Sequence, residues 1–290
     1  MLFVFIFNIY SYFIKASFQI IDNYLMKKKT IIFLFLISIL LSFLIFKTKE
    51  KVVFMSVGQG DASLIQTKDR TVLIDGGPDW EVLLELSKAL KYRMKIDDIV
   101  ITHPHYDHYF GLVEIINRYK VDNIYYYGKN IGNDTYNIFL NNIELKEINS
   151  IDIHRGDKLR LRKDCYLYFL WPKEEEKRSF DENELSVVNY FACGKLKILF
   201  TGDISGAVEK QLISMDKNLE FEVLKAAHHG SKKSNSWDFL KFYRPKKIVI
   251  SAGKDNKYGL PSPEVIFRAE KLNISVELLS EQGSYEILIK

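Results

Sequence analysis

The chain is poor in the residues that would give it a covalent scaffold. It has two cysteines, Cys165 and Cys193, too few for a disulfide framework and without the C-x-x-C spacing of a thiolate metal site. Both lie in apolar, β-like runs, so buried thiols are expected, with one disulfide open to them if the domain is exported. Six prolines, fifteen glycines and the absence of any internal repeat exclude collagen-like and low-complexity chains. Neither sign of charge dominates. A net charge of +4 is too small to point to nucleic acid by itself.

Long apolar runs are scarce as well. Ile31–Phe46 is free of charge, but its sixteen residues are short for a membrane span, which wants about 20. Lys27, Lys28 and Lys29 stand directly before it, the order of an export signal. Thr30 and the aliphatic part of Lys47 would extend the run by snorkelling. No small-x-small cleavage site follows, so a signal anchor over about residues 30–47 is expected rather than a removed signal peptide. The three lysines place the chain's remainder outside the cytoplasm; Lys47, Lys49 and Lys51 on the far side weigh toward the reverse. Residues 1–25 are aromatic-rich and interrupted by Asn8, Lys15 and Asp22. They read either as another membrane helix or as a leader upstream of a start at Met26.

Residues 1–50 thus form a hydrophobic region, and residues 51–290 read as one domain. Its order is strands first, then strands alternating with helices. Val52–Val57, Ala62–Thr67 and Thr71–Asp75 read as strands separated by Gly- and Asp-rich turns. Val82, Leu83, Leu86 and Leu90 recur at helical spacing, Ile99–Thr102 is a strand, and Leu112–Arg118 reads as helix. Further strands are expected at Asn123–Tyr127, Cys165–Trp171, Ser186–Ala192, Lys197–Thr201, Glu222–Ala226, Lys247–Ser251, Ser275–Leu279 and Tyr285–Ile289. Helices fit Gly206–Ile213, Trp237–Phe242 and Pro263–Leu272, the last with Ser262 as N-cap and Pro263 at its first position. This α/β pattern predicts two sheets with helices outside, a four-layer αββα sandwich.

Chemistry concentrates in His103-Pro104-His105-Tyr106-Asp107-His108, four metal-ligating side chains within six residues after a strand. Imidazoles at i and i+2 can face one ion, and the Asp and His beyond the turn can face a second. A surface loop needs no such density of histidine.

This H-x-H-x-D-H run resembles the signature of the metallo-β-lactamase superfamily. Phe54–Ala62, Leu73–Gly77, Thr201–Asp203, Ala227–Ser231 and Tyr258–Val265 occur in that order along the chain, the first two before the run and the rest after it. Together they resemble the C-terminal domain of ComEC-type DNA-uptake (competence) proteins and their free-standing relatives, over roughly residues 52–290. The resemblance implies two divalent metal ions, zinc or manganese. His103 and His105 would hold one, Asp107 and His108 the other, and Asp203 would bridge them. His229 is favoured over His228 to complete the second, because Gly230 permits a close backbone approach. Asp107 and His229 are thereby the catalytic candidates, and Asp75 is the carboxylate expected to orient a ligand imidazole.

Two departures from the family pattern stand out. Many members carry a third histidine on the first metal; here the interval holds only His154, read as a surface turn residue, and an Asn183-x-x-Ser186 motif. Fewer nitrogen ligands let manganese compete better with zinc. The second departure is Leu260, where the Tyr-Gly-x-Pro loop of relatives usually carries histidine. Tyr258, Lys225 or His228 would then have to take its place.

Two such ions would activate water for attack on a phosphorus or carbonyl centre. Lys225, Ser231, Lys232, Tyr258 and Ser262 are the candidate substrate contacts, with Lys233, Lys241, Arg244, Lys246 and Lys247 nearby. The leading expectation is a membrane-anchored extracytoplasmic phosphodiesterase, a nuclease acting on DNA. Alternatives are a hydrolase of another phosphodiester, a lactone or a lactam, and a non-catalytic member that binds DNA or a partner. The chain has too few apolar segments to form a transport channel, so in DNA uptake another protein would supply the pore.

Overall fold

The computed structural model describes residues 14, 15, 17, 19, 26–38, 49–128, 134–174 and 181–290. The chain separates into two units, Met1–Thr48 and Lys49–Lys290. In the first, residues 26–38 are helical. Among the described residues no helix is long and apolar enough to cross a membrane. Residues 39–47 of the expected anchor, and most of the aromatic-rich stretch 1–25, lie outside the described residues.

The second unit begins with β1 (Lys51–Phe54), β2 (Ser63–Gln66) and β3 (Thr71–Ile74), an antiparallel meander. Then β4 (Lys95–Val100), β5 (Lys120–Tyr126) and β6 (Asn149–Asp152) add parallel strands. Helices α1 (Glu81–Leu90), α2 (Tyr106–Arg118) and α3 (Asp134–Leu145) intervene between them. With β14 (Tyr285–Leu288) on the edge beside β1, the order is β14-β1-β2-β3-β4-β5-β6. The second sheet runs β13-β12-β11-β10-β9-β8-β7. Its strands are β7 (Lys158–Arg162), β8 (Cys165–Trp171), β9 (Val188–Cys193), β10 (Leu196–Phe200), β11 (Val223–Lys225), β12 (Lys247–Ile250) and β13 (Ser275–Leu278). Its helices are α4 (Gly206–Met215), α5 (Trp237–Tyr243) and α6 (Pro263–Lys271).

Strand periodicity sorts the side chains between layers. Val52 and Phe54 join Ile65, Phe191 and Phe200 in the core between the sheets, while Val53 and Met55 face Leu86 and Leu112 of the outer helices. Leu199 and Leu224 of the second sheet pack against Val208, Phe239 and Val265 in a third core. Burial on both faces explains why these strands read as continuous apolar runs. The result is the expected αββα arrangement.

Several elements depart from expectation. Helix α2 starts six residues before Leu112, at Tyr106, because its first turn carries Asp107 and His108 and so lacks apolar periodicity. Strand β4 starts at Lys95; its charged residues are occupied by Arg70, Arg93 and Lys95 side chains at its beginning. Helix α3 and strands β6 and β7 were not anticipated, although Leu159 and Leu161 alternate with charged neighbours in β7. The cysteines correct the expectation of free thiols: Cys165 and Cys193 sit opposite each other on β8 and β9 and are bonded. Ser262 precedes α6 as expected, but its hydroxyl donates to Gly230 O at 3.1 Å instead of capping the helix.

Candidate metal centre

The site forms where the strands of both sheets end. Asp75, just past β3, accepts hydrogen bonds from Thr102 N at 2.8 Å and Thr102 Oγ1 at 2.7 Å. It also accepts from His108 Nδ1 at 2.8 Å. Committing Nδ1 leaves His108 Nε2 to face inward. His229 is fixed in the same way: Nδ1 donates to Ser251 O at 2.9 Å, at the end of β12. His228, His229 and Gly230 take left-handed backbone conformations with φ of 50°, 52° and 81°. The side chain of Asn235 holds this turn through both Ala227 N and Ala227 O. Asp203, after β10, is set by its own N–H, which donates to Ser186 Oγ at 3.0 Å.

Asp203 is the centre of the cluster. Its carboxylate lies 3.4 Å from His108 Nε2, 3.6 Å from His229 Nε2, 3.8 Å from His228 Nε2 and 3.9 Å from His103 Nε2. His229 Nε2 is also 3.2 Å from Asp107 Oδ2. Ligand atoms of Asp61, His108, Asp203 and His229, all buried, fall within 4.8 Å of one another.

The buried atoms His103 Nε2, His108 Nε2, His229 Nε2, Asp203 Oδ1 and Asp61 Oδ1 make no hydrogen bond. Leaving so many buried polar atoms unsatisfied costs about 1–3 kcal/mol each. A divalent cation satisfies nitrogen and carboxylate donors together, so the residues present fit one.

The electrostatics agree. Burial opposes charge throughout, yet Asp203 and Asp75 hold the His108 imidazole well above its ordinary value. Asp203 and Asp61 push His229 up to about 10 against the same burial. Reciprocally, His108 and His229 hold Asp203 well below the usual carboxylate range, and His229 and His108 bring Asp107 down to about 2. His103 goes the other way, lowered by burial and by the neighbouring His108.

The expected ligands divide by position. His103, His108, Asp203 and His229 are buried around one point, and Asp107 reaches it from the first turn of α2. His105 lies edge-on to the His103 ring, centroids 4.6 Å apart, but sits at the rim, its Nε2 3.2 Å from Glu182 Oε2. His228 is at the rim too, with a third of its side chain exposed. His154 lies in a turn where its N–H donates to Asp157, outside the cluster.

Asp61 belongs to the cluster and was given no role from sequence, although it stands in the Gly58-Gln59-Gly60-Asp61 turn. Only its buried position beside His229 reveals it: Oδ1 is 3.4 Å from His229 Nδ1. Against burial, the Lys225 ammonium and then the facing His229 imidazole hold its carboxyl well below the usual range. Lys225, expected at the substrate, is instead buried, with Nζ 2.8 Å from Asp61 Oδ2. Ser262 is likewise buried, whereas Ser231 is half-buried and Lys232 and Tyr258 are exposed. Lys246 and Lys247 lie at the opposite end of β12, paired with Glu222 and Glu277. Leu260 packs against the third core.

Comparison with known proteins agrees with this geometry. Residues 55–130 match the model of the metallo-beta-lactamase superfamily. ComE operon protein 3 of Bacillus subtilis is 26% identical over 84% of the chain and 33% of its own length. Recombination protein 2 of Haemophilus influenzae is 28% identical over 80% of the chain and 28% of its own length. The chain therefore spans about a third of these curated relatives. Among solved structures, the metallo-beta-lactamase fold protein YhfI from Bacillus subtilis superposes with a TM-score of 0.55 at 13% identity, covering 82% of this chain and 100% of YhfI. The short form of human tRNase Z gives 0.50 at 16% identity, covering 83% and 99%. The matched segment, the curated relatives and the shared fold all fall on the unit that carries the histidine cluster, and that unit resembles the metallo-β-lactamase superfamily in sequence and in fold.

Proposed function

We propose that this domain is a divalent-metal-dependent phosphodiesterase acting outside the cytoplasm, with DNA as its substrate. The observation that carries the metal-dependent reading is the convergence of the unpartnered Nε2 atoms of His103, His108 and His229 on Asp203. His103, His105 and Asp203 would hold one ion; Asp107, His108, Asp203 and His229 would hold the other. Bound divalent ions supply Lewis acidity and a water of lowered pKa.

The chain's own residues supply alignment. Asp75 and the Ser251 carbonyl lock the His108 and His229 rings, so each presents Nε2 without reorganisation. The Asp61–Lys225 pair braces the far side of His229. With Leu260 apolar, the partly exposed His228, its Nε2 3.8 Å from Asp203, would carry a proton to a leaving oxygen.

Three observations support DNA and an external location. Lys232 and Lys233 follow the His228-His229 turn on the surface, and Lys254 and Lys257 are exposed on the loop before Leu260. Such lysines contact phosphates without reading bases. The fold is shared with a human tRNase Z, which by its name acts on tRNA. The Cys165–Cys193 bond suits an oxidising compartment, in keeping with an anchor near residues 30–47. Leu260 favours one competing reading, a member that binds DNA or a partner of the uptake machinery without turnover.

The test is metal-stripped full-length protein in detergent micelles, reloaded with Mn²⁺ or Zn²⁺ separately. Single- and double-stranded DNA are offered beside bis(p-nitrophenyl) phosphate, with Asp203→Ala as control. Metal-dependent DNA cleavage lost in the control is expected. Cleavage of the small diester alone moves the substrate away from nucleic acid, and a loaded protein that cleaves neither sinks the phosphodiesterase reading.

A further inference from the structure

Sequence leaves the metal position of His103 and His105 one ligand short, because the interval before Asp203 has no histidine apart from the remote His154. The structure fills that interval differently. Residues 181–186 bring a short 3-10 turn, Glu182–Leu185, beside His105; it is begun by the Asp181 side chain accepting from Asn183 N. The segment is held at Glu184, Ser186 and Val187. Trp171 Nε1 donates to Glu184 O at 2.6 Å, and Ser205 Oγ donates to Glu184 Oε1 at 2.8 Å. Ser186 Oγ accepts from Asp203 N at 3.0 Å, and Val187 N donates to Thr102 O at 2.8 Å. One stretch is thereby tied both to the residue before His103 and to Asp203.

What this anchoring presents is the Glu182 carboxylate, 3.2 Å from His105 Nε2. An ion pair of partly exposed side chains would by itself be worth about 0–1 kcal/mol and would need no such scaffold. A second observation points to a ligand. His103 Nε2, fully buried beside His105, has no hydrogen-bond partner, and its nearest anion is Asp203 at 3.9 Å. The two imidazoles lie side by side, one reaching Glu182 and the other, without a hydrogen bond, nearest Asp203.

Building on the metal-centre reading above, we propose that Glu182 donates a carboxylate oxygen to the ion held by His103, His105 and Asp203, in place of the histidine that many superfamily members use. Replacing a nitrogen by an oxygen ligand makes the set harder, which shifts preference from Zn²⁺ toward Mn²⁺. Ser186 of the Asn183-x-x-Ser186 motif then acquires a role: its hydroxyl ties the segment that carries Glu182 to Asp203.

The experiment counts ions and reads no turnover. Full-length protein in detergent micelles is stripped of metal and titrated with Mn²⁺, free Mn²⁺ being followed by electron paramagnetic resonance, then challenged with Zn²⁺. Wild type is expected to bind two Mn²⁺. Glu182→Gln and Glu182→Ala are each expected to lose one site or weaken it at least tenfold, as His105→Ala does, and to keep the other. Glu182→His is expected to restore two sites with the Zn²⁺ over Mn²⁺ preference raised at least tenfold. Glu182 is a third exposed, so metal-free melting temperatures should match wild type; if the alanine variant melts early, the near-isosteric Gln variant decides. Gln and Ala variants that bind both ions like wild type overturn the assignment, as does a wild type that holds one ion independently of Glu182. A wild type that binds no metal overturns the hydrolase reading itself.

Discussion

Asp75 receives the His108 Nδ1 proton at 2.8 Å and two further hydrogen bonds from Thr102, so one buried carboxylate sets both the tautomer of a ligand imidazole and the strand end that carries His103. Asp75→Asn keeps the size but turns an amide toward Nδ1 or Thr102. Metal affinity should fall about 10–100-fold, with little change in secondary structure. Calorimetric titration beside circular dichroism checks both halves.

The metal-free site should be pH-sensitive in a defined direction. The folded protein raises His229 to about 10 and His108 well above the ordinary value, which is about 6.5 in the unfolded chain. The stability they contribute is fully present below about 6.5 and lost as pH rises toward 10. Metal binding at pH 7 must displace the Nε2 protons of both, so affinity should weaken as pH falls and about two protons should be released. Titration in buffers of different ionisation enthalpy counts them. Alkaline unfolding of metal-free protein that shows no such loss contradicts the assignment.

Lys225 and Asp61 form a buried ion pair at 2.8 Å behind His229. Lys225→Met strands the carboxylate and should cost about 3–5 kcal/mol. The double variant Lys225→Met with Asp61→Asn should cost less than the sum of the single changes. Urea unfolding of the four proteins closes the cycle; additive losses would mean that the pair is not coupled.

The Cys165–Cys193 bond spans 28 residues between adjacent strands. Replacing both cysteines by alanine should lower stability by about 3 kcal/mol, and reductant should destabilise only the wild type. Thiol labelling of protein taken directly from cells reports the compartment: blocked cysteines are expected for a domain outside the cytoplasm.

Some of this protein is legible locally. His103, His105, Asp107 and His108 lie within one turn and the start of a helix, so their shared chemistry needs only their spacing. The alternation of Val52 to Met55 and the helical spacing of Val82, Leu86 and Leu90 declare two layers each, because period 2 and period 3.6 are properties of the backbone itself. The start of α2 was hidden because the first turn is given over to polar ligands.

Sequence by itself therefore determined the layered α/β architecture, the histidine cluster and the family resemblance. Through that resemblance it also singled out Asp203 and the His228-His229 pair, and favoured His229. The tertiary structure alone decided which neighbour is buried, that Lys225 turns inward to Asp61, that Cys165 meets Cys193, and that Glu182 faces His105. Those relationships join segments far apart in the chain. Their distances and their loss of solvent arise only when strands pair within a sheet or the two sheets close on one another, and no local spacing encodes either.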